Sequence, residues 1–376
     1  MLIKNGTLLN GEFRFMEADV LIEGETITEI CKIGGAPDID ASGCYIIPGL
    51  IDTHIHGAMG KTYIDFDNDT SQMIAEFEAK HGTTSIVPAL SAAPKEKLLK
   101  CIEYIKQCFS KDNENGAKMY GFHLEGPFFS PKYKGAHLPE NIRNADPDEL
   151  MEYIHASNGL LKIITLAPEL PNGGETIKKA VENDVCVSIG HSDATYDRTC
   201  HAIALGARQG THLFNAMRPM NHRDPGVVGG ILFTDAKTEL ICDFFHVHKD
   251  VIKMVYDMKG SDRINMVTDA EVGTGLPDGV YEVNGRWLCV TGGKTYTEDG
   301  TIAGGTSCLI DGIRNLVSIG IPLEDACKMA SKNPAETVGI YDKVGSLEKG
   351  KIADVVVLDK RELSVKHVIV RGKLLF

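Results

Sequence analysis

The sequence predicts an α/β protein: a (β/α)8 TIM-type barrel carrying a small β-sandwich built from both chain termini. Three observations predict it. From residue 49 to 349 short apolar strands alternate with helical patterns, and eight such strands can be read. Residues 1–48 and 350–376 are β-rich, so the two termini are expected to pair into one unit. Six of the eight barrel strands lead into His, Glu or Asp, at the strand end where this fold collects its chemistry.

The chain opens with Leu2-Ile3-Lys4-Asn5-Gly6-Thr7-Leu8-Leu9, followed by apolar runs at 18–22 and 26–30. Asn5-Gly6 and Asn10-Gly11 are turn signals, so this is a small meander. Residues 353–358 and 365–370 have the same character. Ile46, Ile47, Leu50 and Ile51 carry the first barrel strand, which runs on to His54 and His56. The other seven strands are read at 85–88, 119–124, 163–166, 185–189, 209–213, 240–243 and 264–268. Helical periodicity falls between most of them, at 71–80, 95–107, 175–182, 196–205 and 249–258. After the eighth strand a Gly-rich excursion, 271–305, reads as a hairpin or mobile lid.

Composition narrows the function. The 39 basic and 52 acidic residues give a net charge of -13, which excludes a general nucleic-acid surface and requires a local basic group for any anionic substrate. No apolar run is long enough to span a bilayer, and the first residues lack a signal-peptide core, so a cytoplasmic protein with no membrane partner is expected. Ten cysteines include no Cys-X-X-Cys pair and read as reduced, structural thiols.

The site begins with His54 and His56. Two residues apart in a strand, their imidazoles share one face and aim at one point, an arrangement suited to a metal such as zinc or iron. Later strand ends add Glu125 in His123-Leu124-Glu125-Gly126-Pro127 and His191 in Ser188-Ile189-Gly190-His191-Ser192. They also add His212, His246, and Asp269 in Val267-Thr268-Asp269-Ala270. Buried ionisable groups are costly unless paired or bound to a metal, so this ring of strand ends reads as a metal site. His81, His155, His201 and His367 fall on helices, helix ends or the sandwich and read as surface residues.

These residues resemble the amidohydrolase superfamily. The resemblance rests on His123-Leu124-Glu125-Gly126-Pro127, Gly190-His191-Ser192-Asp193-Ala194-Thr195-Tyr196, Thr211-His212-Leu213-Phe214-Asn215-Ala216-Met217 and Asp269-Ala270, and it runs nearly the whole chain. Within the superfamily it points to the branch that acts on N-acetylated amino-sugar phosphates. Dihydroorotase-like siblings usually place a metal-bridging lysine on the fourth strand, where this chain reads Ile163-Ile164-Thr165-Leu166-Ala167-Pro168-Glu169.

The resemblance implies roles. Glu125, His191 and His212 would be the shared metal ligands, and His54 with His56 would favour a second metal position with Glu125 bridging. The cofactor would be one or two divalent ions per chain, of zinc, iron, cobalt or manganese. Asp269 would take a proton from water and hand it to the departing amine. His137, with Ala136 beside it, and His246 would face the sugar, Asn215 and Ala216 would offer donors, and Arg223 would meet the phosphate. In related enzymes that arginine reaches the neighbouring subunit's site, which implies a homodimer. Ile302, Ala303 and Gly304 would close over the ligand with backbone groups. The implied reaction is hydrolysis of N-acetylglucosamine 6-phosphate to glucosamine 6-phosphate and acetate. The galactosamine epimer and other N-acyl substrates, such as N-acyl-D-amino acids, stay open as alternatives.

Overall fold

The computed structural model describes residues 1–376 apart from 66–68, 112–114 and 284–285. Its centre is a ring of eight parallel strands. They are β1 (Leu50–Ile55), β2 (Thr83–Ser91), β3 (Phe122–Glu125), β4 (Leu161–Leu166), β5 (Cys186–Ile189), β6 (Gln209–Gly210), β7 (Lys237–Ile241) and β8 (Ile264–Val267). Each pairs with the next in chain order. The ring closes at its upper rim, where Ile55 bridges Ala270, Asp269 N donates to His54 O (2.9 Å) and His56 N donates to Ala270 O (2.8 Å). Closure therefore fixes the first and last strand ends against each other at the level of the site.

The strands are buried on both faces, every residue of β1 included, which is why they read as continuous apolar runs rather than alternating ones. Around them lie α1 (Thr70–Lys80), α2 (Lys95–Lys111), α3 (Pro147–Ser157), α4 (Gly173–Glu182), α5 (Tyr196–Ala204), α6 (Gly226–Leu232), α7 (Lys249–Lys259) and α8 (Leu309–Ser318). Two further helices, α9 (Leu323–Ala330) and α10 (Lys332–Thr337), follow. Local chemistry sets their ends. For α3, Asp146 accepts from the N–H of Asp148 and Glu149, Pro147 opens the first turn, and Asn158 closes the last in the left-handed region.

The termini meet as expected. Val355–Asp359 from the C-terminal end pairs antiparallel with Cys44–Pro48, Val357 opposite Ile46, and Thr7–Leu9 pairs on that strand's other side. This six-stranded sheet and a four-stranded one enclose Ile3, Leu8, Val20, Ile46, Val357 and Ile369. Cys44–Pro48 then becomes β1 across a single residue. That residue is glycine because a Cβ there would lie 2.0 Å from Thr84 Oγ1.

Element ends differ from the sequence reading in three informative places. Ile46 and Ile47, expected in the first barrel strand, lie instead in Cys44–Pro48 of the sandwich, because the chain leaves one sheet at Gly49 and enters the barrel at Leu50. The sixth strand stops at Gly210, and Thr211 to Ala216 leave the ladder, with positive φ at His212, Phe214 and Ala216. The excursion after β8 is a three-stranded antiparallel sheet, Gly279–Val283, Arg286–Val290 and Thr295–Thr297, whose residues 284 and 285 lie outside the described residues.

Candidate active site

The barrel delivers five ligand-type side chains to one place. Glu125, the last residue of β3, stands at the middle. Its Oε1 lies 3.1 Å from His191 Nε2, 3.2 Å from His212 Nε2 and 3.4 Å from His54 Nε2, and its Oε2 lies 3.3 Å from His56 Nε2. The imidazoles pair off: His54 and His56 have Nε2 atoms 3.2 Å apart, His191 and His212 3.1 Å apart. All five are buried. Two three-residue clusters result, His54–His56–Glu125 and Glu125–His191–His212, and they share Glu125.

Three of the four rings are held from behind, and His212 Nδ1 has no partner among the described residues. Nδ1–H of His54 donates to Glu239 Oε2 (2.9 Å), that of His56 to Ala89 O (3.1 Å), and that of His191 to Tyr133 O (2.9 Å). In each case the outer nitrogen spends its proton on an acceptor, and the Nε2 lone pair is left pointing inward. Nitrogen atoms 3.1–3.2 Å apart with lone pairs converging on a carboxylate cannot satisfy one another. A cation among them can, so the donor set fits a metal ion. Phe129 stacks on the His191 ring with centroids 4.2 Å apart and fixes its plane.

Backbone strain helps aim the groups. His191, His212 and Asp269 all have positive φ (49°, 28° and 50°), so the chain turns out of the strand at each of them and directs its side chain across the mouth.

Electrostatics follow. Burial works against a charged Glu125, but His137 and then His191 and His212 hold its carboxyl well below the usual carboxylate range. Burial likewise opposes the ionised form of Asp269, and His54 and His56 outweigh it and lower its pKa. Burial lowers His191 to about 4, which keeps it neutral and able to donate a lone pair. Burial would also lower His56, yet Asp269 and Glu125 raise it to about 10. The pocket thus favours positive charge between its carboxylates, which a divalent ion supplies.

Over this cluster lies a cavity of about 610 Å³. The structure brings Glu125, His56, His191, His212 and Asp269 to its floor, and Ala136, His137, Asn215, Ala216, His246, Ile302, Ala303 and Gly304 to its walls. His54 lies just beneath the floor, fully buried. His137 Nε2 is 3.1 Å from Glu125 Oε2. His246 donates through Nδ1 to Asp243 (2.6 Å), and its Nε2 has no partner among the described residues. Ala303 and Gly304 belong to the segment returning from the excursion, after its last strand Thr295–Thr297. Gly304 has φ +68° and its Cα runs so close to the Asp269 carbonyl that a Cβ would lie 2.8 Å from it. Arg223 alone is not brought in: it sits exposed in the tight Asn221–Asp224 turn, outside its own chain's cavity.

Sequence reading missed the supporting groups. Glu239 is fully buried on β7, accepts from His54 and Gln209, and sits below the cluster. Its signal is a lone acid just ahead of the strand that the sequence predicts at 240–243, and the strand itself begins three residues earlier, at Lys237. Asp243 behind His246 carried no signal beyond proximity. On β4 the Thr165 hydroxyl lies between His123 Nε2 (2.7 Å) and Thr211 Oγ1 (2.8 Å). His123 therefore braces the interior and is not one of the residues gathered around Glu125. Among the described residues no helix is long and apolar enough to cross a membrane, and all ten cysteines are free.

Known proteins share this framework. The chain is 36% identical to the N-acetylglucosamine-6-phosphate deacetylase of Lysinibacillus sphaericus over 368 residues, 96% of this chain and 95% of that protein. It is 35% identical to the N-acetylgalactosamine-6-phosphate deacetylase of Escherichia coli O157:H7 over 331 residues, 88% of this chain and 87% of that one. Its fold superposes with a TM-score of 0.94 on an N-acetyl-D-glucosamine-6-phosphate deacetylase variant from Mycobacterium smegmatis, solved with N-acetyl-D-glucosamine 6-phosphate. That pair is 31% identical, with 100% of this chain and 99% of the other covered. Residues 45–375 match the model of the amidohydrolase family, so the shared Glu125 and its two histidine pairs stand in a chain that belongs to that family.

Proposed function

We propose that the protein removes the acetyl group from N-acetylglucosamine 6-phosphate, giving glucosamine 6-phosphate and acetate. One observation carries the reading: Asp269 Oδ1 lies 3.4 Å from His54 Nε2 and 3.3 Å from His56 Nε2, an acid–base group against a ligand cluster on a cavity floor. The similarity to deacetylases over nearly the whole chain supports the choice of substrate.

Glu125, His191 and His212 would hold one divalent ion, and His54, His56 and Glu125 a second. A bound ion of this kind lowers the pKa of water to about 7 and polarises a carbonyl oxygen. Asp269, ionised because imidazoles surround it, accepts the proton of the attacking water. It then passes that proton to the amine nitrogen, which cannot depart as an anion. His137 at the rim donates to the oxygen of the tetrahedral centre. His246 and Asn215 orient the sugar, and the backbone of Ile302, Ala303 and Gly304 covers it. Arg223 serves the phosphate of the adjoining subunit in a homodimer, which matches its position outside its own cavity. Residues 1–48 with 350–376 form the sandwich unit and 49–349 the catalytic one. The free thiols support a reducing, cytoplasmic setting.

The galactosamine epimer is the second reading, because a relative acting on it is as similar as those acting on the glucose epimer. The test is acetate release from both sugars, with metal per chain measured on the same sample. Faster turnover of the glucosamine derivative with about two ions per chain supports the full reading. About one ion demotes His54 and His56. No acetate from either sugar in a metal-loaded sample overturns it.

A further inference from the structure

The ligand cluster forms the cavity floor, and the segments following β1–β3 and β6–β8 supply its two sides. On the β6–β8 side Asn215 and His246 offer polar groups, and the excursion adds Val272, Leu288, Ile302 and Ala303. On the β1–β3 side Ile64, Ala92, Ala93, Pro94 and Leu138 form an apolar stretch beside Thr62, Ser91 and Asn141, and Lys97 of α2 also lines the cavity. Lys97 is the one Lys or Arg among the lining residues, is half-buried, and has no hydrogen bond or ion pair among the described residues. The wall is well braced: Asn141 Nδ2 donates to Ala92 O (3.1 Å), Arg143 Nη1 to Ala93 O (3.1 Å), and Arg143 is itself paired with Glu149.

We propose that the β1–β3 side is an acyl-group site, and that the enzyme also hydrolyses hexosamine 6-phosphates whose N-acyl chain is longer than acetyl and ends in a carboxylate. The proposal rests on the deacetylase reading above. With the sugar along β6–β8 and the amine at Asp269, the acyl carbons enter the β1–β3 side. An acetyl methyl needs little of that space. A three- or four-carbon chain fills its apolar stretch, and an unpaired ammonium on that side is matched by a terminal carboxylate. The chemistry balances as in deacetylation: water adds to the acyl carbon, the C–N bond breaks, and the amine leaves with a proton. The products are the amino-sugar phosphate and a dicarboxylic acid.

The experiment compares the N-acetyl, N-butyryl and N-succinyl derivatives of glucosamine 6-phosphate on the metal-loaded wild type and on Lys97→Met. The wild type is expected to hydrolyse all three, and the variant to lower the N-succinyl to N-butyryl ratio of kcat/KM by about tenfold or more. Turnover of the N-acetyl substrate alone overturns the acyl site. An unchanged ratio in Lys97→Met overturns the carboxylate assignment. Hydrolysis of the longer chains with none of N-acetyl would sink the deacetylase reading and keep the site, and no turnover of any of the three sinks both.

Discussion

Nδ1 of His54 and Oε2 of Glu239 lie 2.9 Å apart with both side chains fully buried, 185 residues apart in sequence. Glu239 takes the outer proton of His54, so the inner nitrogen keeps its lone pair. Glu239→Gln keeps the shape and removes the charge. Metal affinity, measured by competition with a chelator, is expected to fall by about 10- to 100-fold. An unchanged affinity would mean that His54 holds no ion.

Asp269 and His56 meet on the floor of the cavity, 3.3 Å apart. Asp269→Asn can neither accept nor return a proton, and turnover is expected to drop by about 100-fold or more. Metal content by elemental analysis stays near that of the wild type. Loss of the ion in this variant would make Asp269 chiefly a ligand.

Arg223 is exposed and is not among the residues that line its own cavity. Arg223→Ala should raise KM for the phosphorylated sugar by about tenfold or more, and leave any turnover of the free sugar unchanged. Sedimentation equilibrium of the wild type should give a dimer. An equal loss on both sugars would refute the phosphate role, and a monomer with full activity would refute the shared site.

Glu78 on α1 is fully buried in the barrel wall. Burial, then the nearby Asp52 carboxylate, raises its pKa from 4.5 to about 8, and the Thr83 hydroxyl offsets only part. Because the folded value exceeds the unfolded one, the native state holds an extra proton between them. Its contribution to stability is complete below the unfolded pKa and is lost as pH rises through about 8. Glu78→Gln removes this loss. Thermal midpoints of variant and wild type should therefore diverge, in the variant's favour, from pH 6 to about pH 9. A constant gap across that range would show Glu78 to be ionised and satisfied.

The sequence by itself determined the alternation of β and α units and the residues that end the strands. Those are local properties: apolar runs, turn pairs, and the period of two that places His54 and His56 on one face. It also carried the pairing of the termini, because residues 1–48 and 350–376 are β-rich and flank a different middle, whereas the fold decided that Ile46 and Ile47 belong to that sheet and not to the barrel. Only the tertiary structure decided how the ends meet. Closure through Ile55 and Ala270 sets Asp269 against His56, and the positive φ of His191 and His212 aims two rings at Glu125 from strands that propensity would have continued. Glu239 and Lys97 became visible the same way. What a buried acid or a cavity-lining lysine faces depends on residues far along the chain, and for the acid burial in a closed ring gives those contacts their energy.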